Sequence, residues 1–376
     1  PHGKPLRYDG ENLHLEPEIE EIATFYAAKL GTEHAKKKTF NQNFFADFKR
    51  AMRKHNSKYS GIIKDFKKCD FSVIRAHLDA VKAQQKDMRP CERKAIREAE
   101  AARVAKYQVA IVDGREEKVG NYRVEPPGLF LGRGEHPLAG KVKRRILPED
   151  VTINIGEQET PPECPLPGHR WKKIVHEHSV TWLAFWRDSI TSGFKYVWLG
   201  AGSAFKGMSD HSKFEKARKL HGVIGHVRAE YRRAWKSKDL SEQQRAVATY
   251  LIDVLALRVG NEKSEDEADT VGCCSLRFEH VKLERPSTLR LDFLGKDSIR
   301  YVNSVSVDPA VFACLQRFLN GKKNGDDVFD LVTVTSLNDY LRGFMDGLSG
   351  KVFRTYNASV TLDRLLQDTA GRDRVV

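Results

Sequence analysis

The apolar period changes twice along the chain, and no other feature limits its fold as much. From residue 16 to about 106 the pattern is helical. Glu16-Pro17 opens a first helix, and Ile19, Ile22, Tyr26 and Leu30 mark one face before Gly31. Thr39 is placed to cap a second, in which Phe40, Phe44, Phe48 and Met52 recur every fourth residue as a core stripe. Asp70 is placed to cap a third, and a highly charged helix over 89–106 follows. From Gln108 the period becomes two. Asp113-Gly114 between 109–112 and 118–124 predicts a hairpin, and 151–155, 171–175, 180–186 and 194–199 read as strands. Helical pattern returns over 210–260 with a break near Asp239, then strands at 275–283, 288–294 and 298–307. Helices over 308–319, 336–348 and 357–367 complete the pattern.

A helical segment, a β-rich segment and a mainly helical segment imply an α+β multi-domain protein, with boundaries near 88 and 202. No run of about 18 uncharged apolar residues is present, so no membrane-spanning helix is predicted. The first 15 residues lack a secretory apolar region and an initiating Met, from which an N-terminal truncation is expected. None of the six cysteines forms a C-x-x-C pair, and Cys273-Cys274 read as reduced core residues, so no metal site is expected.

Charge separates the two ends of the chain. Residues 1–235 carry 44 Lys and Arg against 30 Asp and Glu, whereas residues 236–376 carry 20 against 21. A basic surface on the first part suits a polyanionic partner, with a solvated basic face as the plainer explanation. An anionic membrane fits less well, because no basic amphipathic helix with exposed Trp or Leu stands out.

Nucleotide-loop look-alikes carry nothing. Gly200-Ala201-Gly202 lacks the third glycine of a dinucleotide loop, and Met208 stands where a Walker lysine would be. Four other places are more informative. In Pro126 to Pro137, glycines flank Arg133 and let the backbone approach a large ligand; Lys141, Lys143, Arg144 and Arg145 follow, a cluster that can meet phosphates. Arg258 sits in the apolar string Tyr250 to Glu262, where it reads as buried against Asp253 or Glu262, or as an anion ligand. Lys296 projects from a Gly-Lys-Asp hairpin turn, either as an ordinary turn lysine or as a proton donor. Arg354 lies among apolar and aromatic residues just before the predicted helix at 357. Two buried-looking arginines and a hairpin lysine together suggest a phosphate clamp.

These residues occur in long strings, EPPGLF…GRGEHP, KRRILPED, LALRVGNEK, ADTVGCCSLR, DFLGKDSIRY and KVFRTYNAS, that resemble the eukaryotic type IB DNA topoisomerases over nearly the whole chain. The resemblance implies a clamp around duplex DNA: a helical cap lobe at 1–88, a β-rich central lobe at 89–201, and a mainly α catalytic lobe at 202–376, of the tyrosine recombinase/topoisomerase IB type. It implies single-strand cleavage through a 3′-phosphotyrosine, strand rotation and religation, with no ATP or metal cofactor. Arg258, Lys296 and Arg354 match three members of the family's catalytic set. Arg133, Lys141, Lys143, Arg144, Arg145, Lys195 and Tyr196 are the candidate DNA contacts. Arg133 and Asp297 match positions where camptothecin-type poisons bind in related enzymes. A nuclear location is implied, with mitochondrial DNA a second.

The family's histidine, in a Cys-Asn-His-Gln-like string, and its nucleophile, in a Ser-Lys-x-x-Tyr context, have no counterpart in these 376 residues, and Tyr356 is not that nucleophile. The expectation is that a truncated C-terminal segment or a second polypeptide carries the tyrosine, as in split protozoan members. A tyrosine recombinase is disfavoured, because no His has Arg three residues later. A DNA clamp that binds without cutting remains the alternative.

Overall fold

The structure, a computed structural model, describes residues 1–261 and 267–372, with side chains through residue 369. The chain forms two compact units, Pro1–Gly207 and the part from Met208 onward. Among the described residues, no helix is long and apolar enough to cross a membrane.

In the first unit the aromatic stripe is core. Phe40, Phe44, Phe48 and Met52 are fully buried on one face of α3 (Lys38–Lys54), against α1 (Pro17–Ala27), where Tyr26 stacks on Phe44 at 4.4 Å. Thr39 does not cap α3, contrary to expectation: the helix starts two residues earlier, which puts Lys37 at the cap. The short α2 (Glu33–Lys36) precedes it. The Asp70 carboxylate accepts the Ser72 N–H at 2.8 Å, at the start of α4 (Ser72–Asp87), and α5 (Pro90–Val104) follows. Strands β1 (Leu6–Tyr8), β2 (Glu11–Leu13) and β3 (Cys69–Asp70) form a small antiparallel sheet in the order β2-β1-β3.

The predicted hairpin exists, with Asp113 and Gly114 both left-handed between β4 (Val109–Val112) and β5 (Arg115–Lys118). Its second strand pairs directly after the two-residue turn rather than at 118–124, as a tight turn requires. The two-stranded β6 (Gly128–Leu129) and β7 (Val142–Lys143) bring Leu129 and Ala139 into the same core as α1 and α3. A four-stranded sheet in the order β11-β10-β8-β9 comprises β8 (Thr152–Asn154), β9 (Lys173–Val175), β10 (Trp182–Arg187) and β11 (Phe194–Trp198). Its β8–β9 pair is parallel, and Val151, Ala184 and Trp186 form a separate small core.

The second unit packs helices around a three-stranded sheet. From Ala217 onward the buried face of α6 (Ala204–Ala234) meets α7 (Leu240–Leu255) in the larger core. Antiparallel β12 (Val281–Glu284), β13 (Thr288–Leu294) and β14 (Arg300–Ser306) lie in chain order, with Leu289, Leu291 and Phe293 turned inward as a period of two requires. Helices α8 (Pro309–Leu319), α9 (Val334–Arg342) and α10 (Gly350–Arg372) complete it. Cys273 and Cys274 are buried free thiols, and burial pushes Cys274 up to about 12.

Several expectations fail here, among them a helix running to 348, since α9 ends at Arg342. Helix α7 ends at Leu255 rather than near 260, because Ala256 turns left-handed (φ 51°). Short 3-10 turns, Cys273–Ser275 and Phe278–His280, replace most of the strand expected at 275–283. Helix α10 begins at Gly350, seven residues before the predicted start.

Candidate active site and nucleic-acid interface

The Ala256 turn decides where Arg258 stands. A left-handed non-glycine residue costs roughly 1–2 kcal/mol, and it takes the chain out of the helix before the arginine. Arg258 is therefore exposed, not buried inside an apolar helix. Its expected partner Asp253 is occupied elsewhere: its carboxylate accepts two hydrogen bonds from Arg228, at 2.8 and 3.0 Å, and one from the Tyr231 hydroxyl at 3.0 Å. Glu262, the other expected partner, lies outside the described residues.

Arg354 joins this segment from α10. Directly after the buried pair Val352-Phe353, and within the helix rather than ahead of it, its half-buried guanidinium donates through Nη1 to the Ala256 carbonyl. Desolvation lowers its pKa, and the charge of nearby Arg258 lowers it further. Two guanidiniums this close repel unless an anion lies beside them.

Lys296 is fastened to the same segment by backbone bonds. The Arg258 and Val259 carbonyls accept the N–H groups of Cys273 and Cys274 at 2.8 and 2.7 Å, and Val271 donates to the Leu294 carbonyl at 2.8 Å. Residues 271–274 are thus a strap between Arg258 and the end of β13. The hairpin tip is as predicted: Lys296 is exposed in the turn Lys296–Ser298 between β13 and β14. Asp297 and Ser298 are both left-handed, at φ 67° and 58°. Two successive non-glycine residues in that region store strain of about 1–3 kcal/mol each, a cost found at functional turns.

The strap depends on two glycines in contact. A Cβ on Gly272 would fall on the Cα of Gly260 and 2.8 Å from the Arg258 carbonyl oxygen, all of it backbone that cannot yield. Gly350, where α10 begins, likewise abuts the Val259 side chain. Gly272→Ala is expected to lower stability by about 1–3 kcal/mol, read as a fall in Tm, because it must push Arg258 and the strap apart.

In the first unit the basic loop is fixed to the helices. Gly132 and Gly134 are left-handed (φ 63° and 59°) on either side of exposed Arg133. Lys37 donates to the Gly134 carbonyl at 2.6 Å, and Asn43 to the carbonyls of Pro137 and Ala139 at 2.7 and 2.8 Å. The Asp47 carboxylate accepts the Val142 N–H at 2.9 Å, next to Lys141 and Lys143.

Several cations of this surface have carboxylate partners. Lys143 and Lys195 share Glu125 at 3.2 and 3.5 Å, Arg144 makes a bidentate pair with Asp150, and Arg145 meets Glu21 at 2.6 Å. The hydrogen bonds that Arg144 donates to the Asp150 carboxylate are the main cause of its raised pKa. Exposed pairs of this kind contribute about 0–1 kcal/mol, so a phosphate can replace the carboxylate. Tyr196, beside Lys195 on β11, packs its ring 5.1 Å from Trp198.

The structure thus brings Arg258 and Arg354 together and straps the Lys296 turn to them. The residues that sequence reading missed are Arg228 and Asn357, and Asp253 is paired with Arg228 rather than with Arg258. Asn357 Nδ2 donates to the Asp253 carbonyl at 2.6 Å, a contact 104 residues apart in the chain that no local pattern announces.

Two family models match in succession: the eukaryotic DNA topoisomerase I DNA-binding fragment over residues 1–199, and the catalytic core of the same family over residues 202–375. The chain is 50% identical over 366 residues to DNA topoisomerase 1 beta of Arabidopsis thaliana, covering 97% of this chain and 39% of that protein. It is 53% identical over 363 residues to DNA topoisomerase 1 of Schizosaccharomyces pombe, covering 96% and 44%. Against DNA topoisomerase I, mitochondrial, of Rattus norvegicus it is 46% identical over 374 residues, covering 98% and 62%. The chain therefore spans less than two-thirds of each of these relatives. With both family models matched end to end, the chain belongs to the eukaryotic DNA topoisomerase I family.

Proposed function

We propose that this chain is the DNA-binding and phosphate-activating part of a type IB topoisomerase, which relaxes supercoiled duplex DNA by transient single-strand cleavage and religation. The observation that carries the reading is the Arg258–Arg354 pair, with the strained Lys296 turn strapped to it. A tyrosine oxygen attacks the scissile phosphorus as its phenolic proton passes to water, and negative charge builds on the non-bridging oxygens. Arg258 and Arg354 stabilise that charge with fixed donors. The P–O5′ bond breaks as the Lys296 ammonium gives its proton to the leaving oxygen, and the reverse sequence religates the strand.

The tyrosine and a histidine are supplied from outside these 376 residues, by a further segment of the protein or a separate subunit. The cap, central and catalytic lobes at 1–88, 89–201 and 202–376 belong to this proposal. So do DNA contacts by Arg133, Lys141, Lys143, Arg144, Arg145, Lys195 and Tyr196. Arg133 and Asp297 are each proposed to contact camptothecin-type poisons. A nuclear location follows from the substrate, with mitochondrial DNA as a second.

Two experiments test this reading. If about six phosphates are engaged, duplex affinity should fall roughly a thousandfold between about 50 and 200 mM salt; a flat salt response contradicts it. Lys296→Ala should slow cleavage by the complete enzyme by about 10²–10⁴-fold. A substrate with a 5′-thio leaving group should recover much of that rate, since a thiolate departs without protonation. No recovery would remove the general-acid role.

A further inference from the structure

The end of α7 is completed by side chains from α10. The last four carbonyls of a helix have no partner within it. Here the Asp253 carbonyl accepts Asn357 Nδ2 at 2.6 Å, and the Ala256 carbonyl accepts the Arg354 guanidinium. Arg354 and Asn357 are three residues apart and share one face of α10. Their acceptors are likewise three apart on the chain leaving α7. Two donors about one turn apart thus meet two acceptors about one turn apart, so the helices can associate in one register.

The acceptor side of this contact is itself held firmly. The Asp253 side chain has no exposed surface, and Arg228 and Tyr231 of α6 bind it through three hydrogen bonds. The Asp253 carbonyl therefore cannot drift with the frayed end of its helix. Arg354 spends a donor on Ala256 and keeps its other N–H groups for an anion. Where they point depends on the register of α10, which Asn357 shares in setting.

We propose that Asn357, anchored on Asp253, is a positioning residue for Arg354. It touches no reacting atom, and its effect is to hold the Arg354 guanidinium beside Arg258 before substrate arrives. This inference rests on the phosphate-binding reading of Arg354. Displacing a catalytic group by about 1 Å costs on the order of 100-fold in rate, so loss of this one hydrogen bond should be visible kinetically.

The test is a double-mutant cycle in the complete enzyme, read by single-turnover cleavage of a duplex, with duplex Kd and Tm measured alongside. Asn357→Ala should slow cleavage by about 10- to 100-fold and leave Kd within about twofold. In an Arg354→Ala background the same change should cost almost nothing further, because the guanidinium it positions is gone. Asn357→Asp keeps the side-chain shape but turns a carboxylate oxygen toward the Asp253 carbonyl, so it should reproduce the loss if the alanine variant folds poorly. Equal losses in both backgrounds, or an unchanged rate in the single variants, would overturn the positioning role. A normal rate for Arg354→Ala alone would overturn the phosphate reading itself, and this inference with it.

Discussion

Arg258→Ala or Arg354→Ala in the complete enzyme should slow single-turnover cleavage by about 10²–10³-fold, or about 3–4 kcal/mol of transition-state stabilisation, with duplex affinity nearly unchanged. On the proposed mechanism, binding draws on many phosphates, whereas these two cations act on the one being attacked. The variants should differ in stability. Arg258 is exposed beyond the end of α7, so its removal should shift stability by less than about 0.5 kcal/mol. Arg354 caps the Ala256 carbonyl from a half-buried position, so its removal should lower Tm measurably. Arg354→Lys should not rescue, because one ammonium cannot serve the carbonyl and a phosphate with the fork geometry of guanidinium. A variant whose affinity fell as far as its cleavage rate would show that the arginine is structural.

How much of this was legible in the sequence depended on the range of the interactions involved. The Phe40, Phe44, Phe48 and Met52 stripe and the Lys296 hairpin are local patterns, and both stand as predicted. The sequence pattern puts Arg258 inside a helix and Arg354 ahead of one, and the structure corrects both settings. Nothing in Leu255-Ala256-Leu257 signals a left-handed residue, so the α7 pattern read on through Arg258. The start of α10 was read at Asn357, because Gly350 lacks a recognisable cap and its packing on Val259 is tertiary. Asp253 was read as a partner for an arginine five residues away, whereas its actual partner, Arg228, is on another helix. Sequence spacing cannot supply such contacts, and they are the ones that hold the cations in place.

These residues are proposed to bind and activate a phosphodiester while the nucleophile comes from elsewhere. No Ser-Lys-x-x-Tyr string occurs among the 376 residues, and Tyr356, two positions from Arg354, is buried with its hydroxyl 3.4 Å from His221 Nδ1. A phosphate held between donors does not react until an attacking oxygen is placed in line with the leaving group. A polypeptide carrying the tyrosine segment, added to this chain, should restore activity, and more fully when it also brings the family's histidine as a further donor. The most direct measurement is relaxation of supercoiled plasmid with capture of covalent protein–DNA adducts, using the 376-residue chain alone and then with the tyrosine-bearing polypeptide. The expected result is plasmid binding without relaxation or adduct for the chain alone, and both activities once the tyrosine is supplied. An adduct formed by the chain alone and mapped to Tyr356, or to any other residue within it, would contradict it.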